Sequence, residues 1–309
     1  MLHVVTGGAG FIGSHLVDAL VKEGKNIVVI DSLSSGDIKH ISGHIEKGLI
    51  RFVKADLLGS GWQDELKGVE RVWHIAADPD VRQGGLTPSH QVENNLIATT
   101  RLLEAMRVHR VPEIVFTSTS TVYGEAKVIP TPEDYTPLEP ISVYGATKLA
   151  CEAMISAYCH SFNMQCWLFR FANIIGERSN HGVIWDFVHK LKKDPNRLEI
   201  LGNGKQTKSY LIVSECVDAI IFGSDKAKER VNTYNIGSPD WVSVTDIADI
   251  IVTEMGLSGV QYNFTGGERG WVGDVPLMQL SIEKIQKLGF VSSTGSRESV
   301  SSAVRAMFR

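Results

Sequence analysis

Tyr144 and Lys148 stand four residues apart in VYGATKLACEAM, downstream of TSTSTVYG at residues 117 to 124. Residues at that spacing share one helical face, so the Lys148 ammonium is expected beside the Tyr144 phenol. A nearby positive charge favours the phenolate and moves the pKa from about 10 toward neutrality. A tyrosine so placed is a general base near neutral pH, and Thr119 offers a hydroxyl to share the proton. Taken alone, Tyr-x-x-x-Lys is equally an ordinary amphipathic helix, so the elements around it decide what it means.

The opening stretch LHVVTGGAGFIGSHLVDALVKEGKNIVVIDSLSSG reads as strand, glycine turn, helix, second strand and terminal acid. Leu2 to Val5 is too short for a helix and suits a buried strand. Gly7 permits the tight turn, Gly10 leaves room for a pyrophosphate, and Gly13 lets the new helix pack closely. The helix N-terminus then presents unpaired N–H groups and a positive dipole end to the pyrophosphate. Asp31 ends the second strand, where a carboxylate accepts from both ribose hydroxyls and repels a 2′-phosphate. The site therefore reads as one for NAD in preference to NADP.

Farther on, strands are expected at Leu49 to Val53, Arg71 to Ile75, Glu113 to Thr117 and Cys166 to Arg170. Helices are expected around Asn95 to Val108 and Val143 to Phe162. This alternation describes an α/β fold of Rossmann type, a doubly wound parallel sheet. Beyond residue 172 the rhythm loosens. Residues 1–172 are expected to form the NAD-binding domain and 173–309 a smaller substrate-binding lobe, with a strand near 233–236 rejoining the main sheet.

The bulk composition agrees with an enzyme. The 309 residues are 43% apolar and 21% charged, with a net charge of −4, enough for a large core. There is no basic stripe with interleaved aromatics, so no nucleic-acid partner is expected. No apolar run is long enough to span a bilayer, and the chain enters its first strand without a charged leader, so a cytoplasmic location is expected. Four cysteines without metal-type spacing read as buried free thiols, and His40 and His44 as a solvated pair.

TGGAGFIG, DSLSSG, HIAA, the Asn-Asn before Leu96, TSTSTVYG, Tyr144 with Lys148, RFANIIG and RGWVGDV together resemble the extended short-chain dehydrogenase/reductases of the NAD-dependent epimerase/dehydratase family. Within it the chain looks most like the UDP-glucose 4-epimerases, and the likeness runs nearly its whole length. The resemblance implies a catalytic triad of Thr119, Tyr144 and Lys148. It implies NAD contacts from Gly7, Gly10, Phe11, Ile12 and Gly13, from Asp31, Ser32, Ser35 and Gly36, and from Asp56, Leu57, Ala76, Ala77 and Asn95. Thr121 and Asn173 would meet the substrate, Lys208 and Arg269 its diphosphate, and Asp274 the uridine ribose. Met278 would gate sugar size. Other readings stay open for some of these: Asn95 as a helix cap, Asn173 as a turn residue, Asp56 as a strand-end turn acid, and Arg82 as either a substrate contact or a loop arginine. A homodimer through the helices at Asn95 to Val108 and Val143 to Phe162 is also implied.

Three departures bear on cofactor and diphosphate contacts, and Ser120 with Thr121 bears on the reaction. Ser32 stands where many relatives carry Asn. Lys208 stands where an Arg is usual, keeping the charge and losing the bidentate fork. RGWVGDV is longer than the usual Arg-x-Gly-Asp form. Ser120 and Thr121 replace the Asp-Glu of the sugar 4,6-dehydratases and the Glu of the UDP-glucuronate decarboxylases, and neutral hydroxyls are poor acids for eliminating water. The expected activity is C4 epimerisation of UDP-glucose and UDP-galactose, a step of galactose metabolism, through a 4-keto sugar. The alternatives are a dehydratase or decarboxylase of the same family, a small-substrate dehydrogenase, or a non-catalytic NAD sensor.

Overall fold

A computed structural model describes residues 1–81, 83–270 and 273–308. Its centre is a seven-stranded sheet: β1 (Leu2–Thr6), β2 (Asn26–Asp31), β3 (Ile50–Lys54), β4 (Arg71–His74), β5 (Glu113–Thr119), β6 (Gln165–Phe171) and β7 (Val231–Ile236), ordered β7-β6-β5-β4-β1-β2-β3 with every pair parallel. Such strands are covered on both faces, which is why they read as unbroken apolar runs. Successive residues feed opposite layers. Val5, Val29, Trp73, Val115 and Trp167 enter one core, while Val4, Val28, Val72, Ile114 and Leu168 enter the other.

Helix α1 (Phe11–Lys22) packs Leu16, Val17 and Leu20 into the first layer, and Gly24, at φ 72°, ends it in the left-handed region. Helices α2 (Ala98–His109) and α3 (Val143–Phe162) cover the other face with Leu102, Leu103, Met106, Cys151 and Ile155. A π-helical turn, Val92–Ile97, runs straight into α2. With the helical turn Pro88–Gln91 that precedes it, the run begins seven residues before Asn95, which lies inside it and caps nothing.

The chain beyond residue 172 contributes both to the main sheet and to a separate core. Strand β7 pairs with β6, Thr233 opposite Leu168, and the helix Val213–Lys226 packs Val217 and Ile220 into the same layer as α1. A separate core gathers Phe187 and Leu191, Leu198 and Ile200, Ile247 and Ile251, and Val300 and Val304. The helix Val244–Glu254 in this lobe is opened by a capping box in which Ser243 accepts from the Asp246 amide at 3.0 Å and Asp246 accepts from the Ser243 amide at 3.0 Å. All four cysteines are buried and unpaired. Among the described residues no helix is long and apolar enough to cross a membrane.

Candidate active site

Strand order reverses direction between β1 and β4, and the loops leaving their carboxyl ends make the crevice where open α/β sheets bind ligands. The glycine turn follows β1. Gly7 holds φ 71°, and a Cβ there would stand 2.6 Å from the Ala76 amide nitrogen, so this turn and the loop after β4 can touch only with glycine at 7. At Gly13 a Cβ would lie 2.0 Å from the Gly7 carbonyl oxygen, which sets how closely α1 approaches the turn. Gly10 differs, since a Cβ would meet protein at no less than 3.3 Å. No side chain caps α1, and its first turn, with Phe11, Ile12 and Gly13, carries no acid. A cradle without side chains leading to an uncapped N-terminus suits a pyrophosphate. The residues present therefore fit a dinucleotide.

Asp31 is nearly buried, and its two oxygens accept from the amides of Ala9 at 2.9 Å and Leu33 at 2.8 Å. Part of its work is to hold the glycine turn against the loop after β2. Gly36 presses on Ala9, where a Cβ would come within 2.9 Å of backbone carbon, and Ser32 donates to Ser34, with Ser35 next in the same loop. Asp56 is exposed and accepts from the Leu58 amide at 2.8 Å, the geometry of a strand-end turn, while Leu57 is buried in the core. Ala76 and Ala77 lie half-buried beside the glycine turn. Asn95 is buried and accepts from the Asp78 amide at 2.8 Å. It donates to Gln91 at 2.9 Å and to Thr147 at 3.2 Å, clamping the loop after β4 to α3.

Tyr144 starts α3 one residue after its first position, and Ser142 caps that helix by accepting from the Gly145 amide at 3.1 Å. Gly145 permits the contact that matters here, because a Cβ would sit 2.7 Å from the Thr121 carbonyl oxygen. The sequence carried that signal in the Tyr-Gly pair, read above only as helix. Thr119 and Thr121 place their hydroxyl oxygens 3.1 Å apart at the carboxyl end of β5, and Thr119 also accepts from the Thr121 amide at 3.2 Å.

The charge balance corrects one expectation. Lys148 is buried with its Nζ 4.1 Å from the centroid of the Phe116 ring, and burial pushes its pKa down to about 8, with Cys151 and Glu152 opposing. Burial raises Tyr144 above the ordinary tyrosine value, the Asp78 carboxylate adds to this, and a hydrogen bond with Thr119 works the other way. The net direction for the phenol is upward, away from neutrality. Desolvation penalises both charged forms and outweighs the attraction expected from helical spacing. His74 was missed as well. It is buried between the Thr6 hydroxyl at 2.7 Å and the Thr99 hydroxyl at 2.9 Å, and burial drives its pKa to about 3, so it is a neutral bridge from the end of β1 to α2.

The remaining residues gather in a cluster of their own. Lys208 Nζ lies 2.5 Å from Asp274 Oδ1, Asp274 Oδ2 accepts from the Gly270 amide at 3.0 Å, and Arg269 donates to the Asp274 carbonyl at 2.8 Å while pairing with Glu125. Asn173 lies in a short strand and donates its side-chain amide to the Ser209 carbonyl at 3.1 Å, beside Lys208. It is therefore not a turn residue. Met278 pairs in register with Lys208 and packs near Val122, Tyr123 and Ala172. Arg82, and Trp271 and Val272 of RGWVGDV, lie outside the described residues.

The sequence profile of the NAD dependent epimerase/dehydratase family matches residues 3–237. A putative UDP-glucose 4-epimerase of Methanocaldococcus jannaschii is 32% identical, the match covering 98% of this chain and 97% of that protein. A crystal structure of a UDP-galactose 4-epimerase is 40% identical and superposes with a TM-score of 0.89 over 100% of this chain and 99% of that one. The UDP-glucuronic acid 4-epimerase of Bacillus cereus, solved with UDP-glucuronic acid and NAD, is 27% identical with a TM-score of 0.90, again over 100% and 99%.

Proposed function

The chain belongs to the NAD-dependent epimerase/dehydratase family and uses NAD as its cofactor, and on that premise we propose that it interconverts UDP-glucose and UDP-galactose at C4. The observation that carries this reading is the meeting of Thr119, Thr121 and the start of the Tyr144 helix at the end of β5, with neutral hydroxyls at 120 and 121. Bound NAD supplies the acceptor and donor of the C4 hydride. Tyr144 takes the proton of the C4 hydroxyl at its phenolic oxygen and returns it to the carbonyl oxygen of the 4-keto sugar. Thr119 steadies that proton, and the Lys148 ammonium one helical turn on supports the phenolate. Asn173, Lys208 and Arg269 hold the diphosphate, and Asp274 the ribose hydroxyls. The sugar stays loosely held and can present either face, because binding energy is taken up at the nucleotide end. Burial of four unpaired thiols suits a reducing cytoplasm. Ile97, Val108 and Phe162, exposed on the α2 and α3 side, suit a homodimer.

With deuterium at C4 of UDP-galactose, the product is expected to be UDP-glucose of unchanged mass, with the label retained and no NADH accumulating. Mass spectrometry with absorbance at 340 nm checks this. Loss of one water would indicate a dehydratase, and stoichiometric NADH a dehydrogenase.

Met278 is unbranched and flexible, so UDP-N-acetyl sugars are expected as slower substrates. Met278→Tyr should lower the ratio of N-acetyl to plain sugar turnover by about tenfold, the scale on which pocket volume discriminates. An unchanged ratio in paired rate measurements removes Met278 as the gate.

A further inference from the structure

Tyr144, Lys148 and Glu152 follow one another at four-residue steps along α3 and so lie on one stripe of the helix. Glu152 is 5% exposed and is held on two sides. Arg170 donates to it from Nε at 3.1 and 3.2 Å and from Nη2 at 2.7 Å, and the Ser118 hydroxyl donates to it as well. Arg170 lies on β6, three residues before Asn173, and Ser118 lies on β5 next to Thr119. Arg170 Nη1 donates to the Tyr123 hydroxyl at 2.9 Å and the Glu133 carbonyl at 3.1 Å, and Tyr123 donates to Asn235 at 2.7 Å. One carboxylate thus ties the helix of Tyr144 to both strands whose ends frame the site. Burying such an ion pair is poor value as stabilisation, because desolvation offsets most of the attraction, so its geometry asks for another reason.

We propose that Glu152 is a positioning residue for the chemistry at Tyr144, fixing α3 against β5 and β6 and supplying the negative charge that keeps the buried Lys148 ammonium in place. This rests on the reading of Lys148 as a working part of the site. The groups facing Lys148 support the assignment. From α3 come Cys151 and Glu152, with Tyr144 one turn back; from β4 comes His74; from β5 the Phe116 ring; from the loop after β4, Asp78 bears on Tyr144; and from β6 Arg170 stands behind Glu152. Burial keeps Cys151 a thiol and His74 neutral. Glu152 is left as the anion that offsets the Lys148 charge.

The test compares wild type, Lys148→Met, Glu152→Gln and the double variant by denaturant unfolding at saturating NAD, from about pH 6.5 to about pH 9.5. Lys148 holds its proton less tightly folded than unfolded, so its contribution makes the protein more stable as pH rises through its folded value. In Glu152→Gln the Lys148-dependent rise is expected to begin about one pH unit lower, and the alkaline limb of kcat to move the same way. An onset shared with wild type overturns the charge role. Ser118→Ala keeps every charge, remains usable should Glu152→Gln fail to fold, and removes one support. It should lower kcat about threefold to tenfold with the limb unmoved, on the scale of one hydrogen bond, and an unchanged kcat overturns the positioning role. The unfolding onset is read without turnover, so a wild type inactive on UDP-sugars would sink the proposed reaction while the Glu152–Lys148 coupling is still measured.

Discussion

Tyr144→Phe is expected to lower kcat by about 100- to 10,000-fold with NAD content and UDP affinity at wild-type levels, the range that positioned acid–base groups contribute. The substitution keeps the ring in the first turn of α3 and removes only the hydroxyl, on which Thr119 acts to favour the phenolate. The Ser142 cap and the Gly145 contact with Thr121 do not involve that hydroxyl, so the helix should stay in place. Burial favours the protonated phenol of Tyr144, which suits it to donate to the 4-keto oxygen and leaves it dependent on its neighbours to accept from the C4 hydroxyl. Lys148→Ala should act in the same direction. Steady-state turnover of UDP-galactose, with NAD measured after heat release, checks both substitutions. A near wild-type rate for Tyr144→Phe removes it from the chemistry.

The second large effect concerns the cofactor cradle. Gly13→Ala places a Cβ 2.0 Å from the Gly7 carbonyl oxygen, and that neighbour is backbone in a turn itself confined by Ala76. Helix α1 must move away, and its first turn goes with it. Stability should fall by about 3 kcal/mol, at the upper end for overpacking. NAD affinity should fall on the order of 100-fold, as for misplacements near 1 Å. Gly43→Ala serves as the control. It lies in a short helix with nothing within 4 Å of the added Cβ, and Ala there should be neutral or stabilising by up to about 1 kcal/mol, with NAD binding unaltered. Calorimetric NAD titration beside denaturant unfolding separates the two effects. Equal behaviour of the two variants would mean that α1 does not set the cofactor site.

Local periodicity determined much of this protein. Alternating apolar pairs such as Val4 and Val5 or Val28 and Val29 serve the two layers of a buried parallel sheet, and Gly7, Gly10 and Gly13 make a tight strand-to-helix turn. The limits of α3, Val143–Phe162, followed from its own apolar spacing. These features are legible because each is set by residues within one or two turns of one another.

Tertiary structure decided what depends on partners distant in the chain. Asp31 reaches back 22 residues to the Ala9 amide, Lys208 meets Asp274 across 66 residues, and Glu152 meets Ser118 across 34. No repeat in the sequence marks these pairs. The charge balance at Tyr144 and Lys148 is of the same kind. Their spacing implied attraction, but its effect is set by how much water the fold removes and by Asp78 and Phe116 brought in from other loops and strands. Desolvation is a property of the folded surroundings, so it was absent from the four-residue spacing that placed the two side chains on one face.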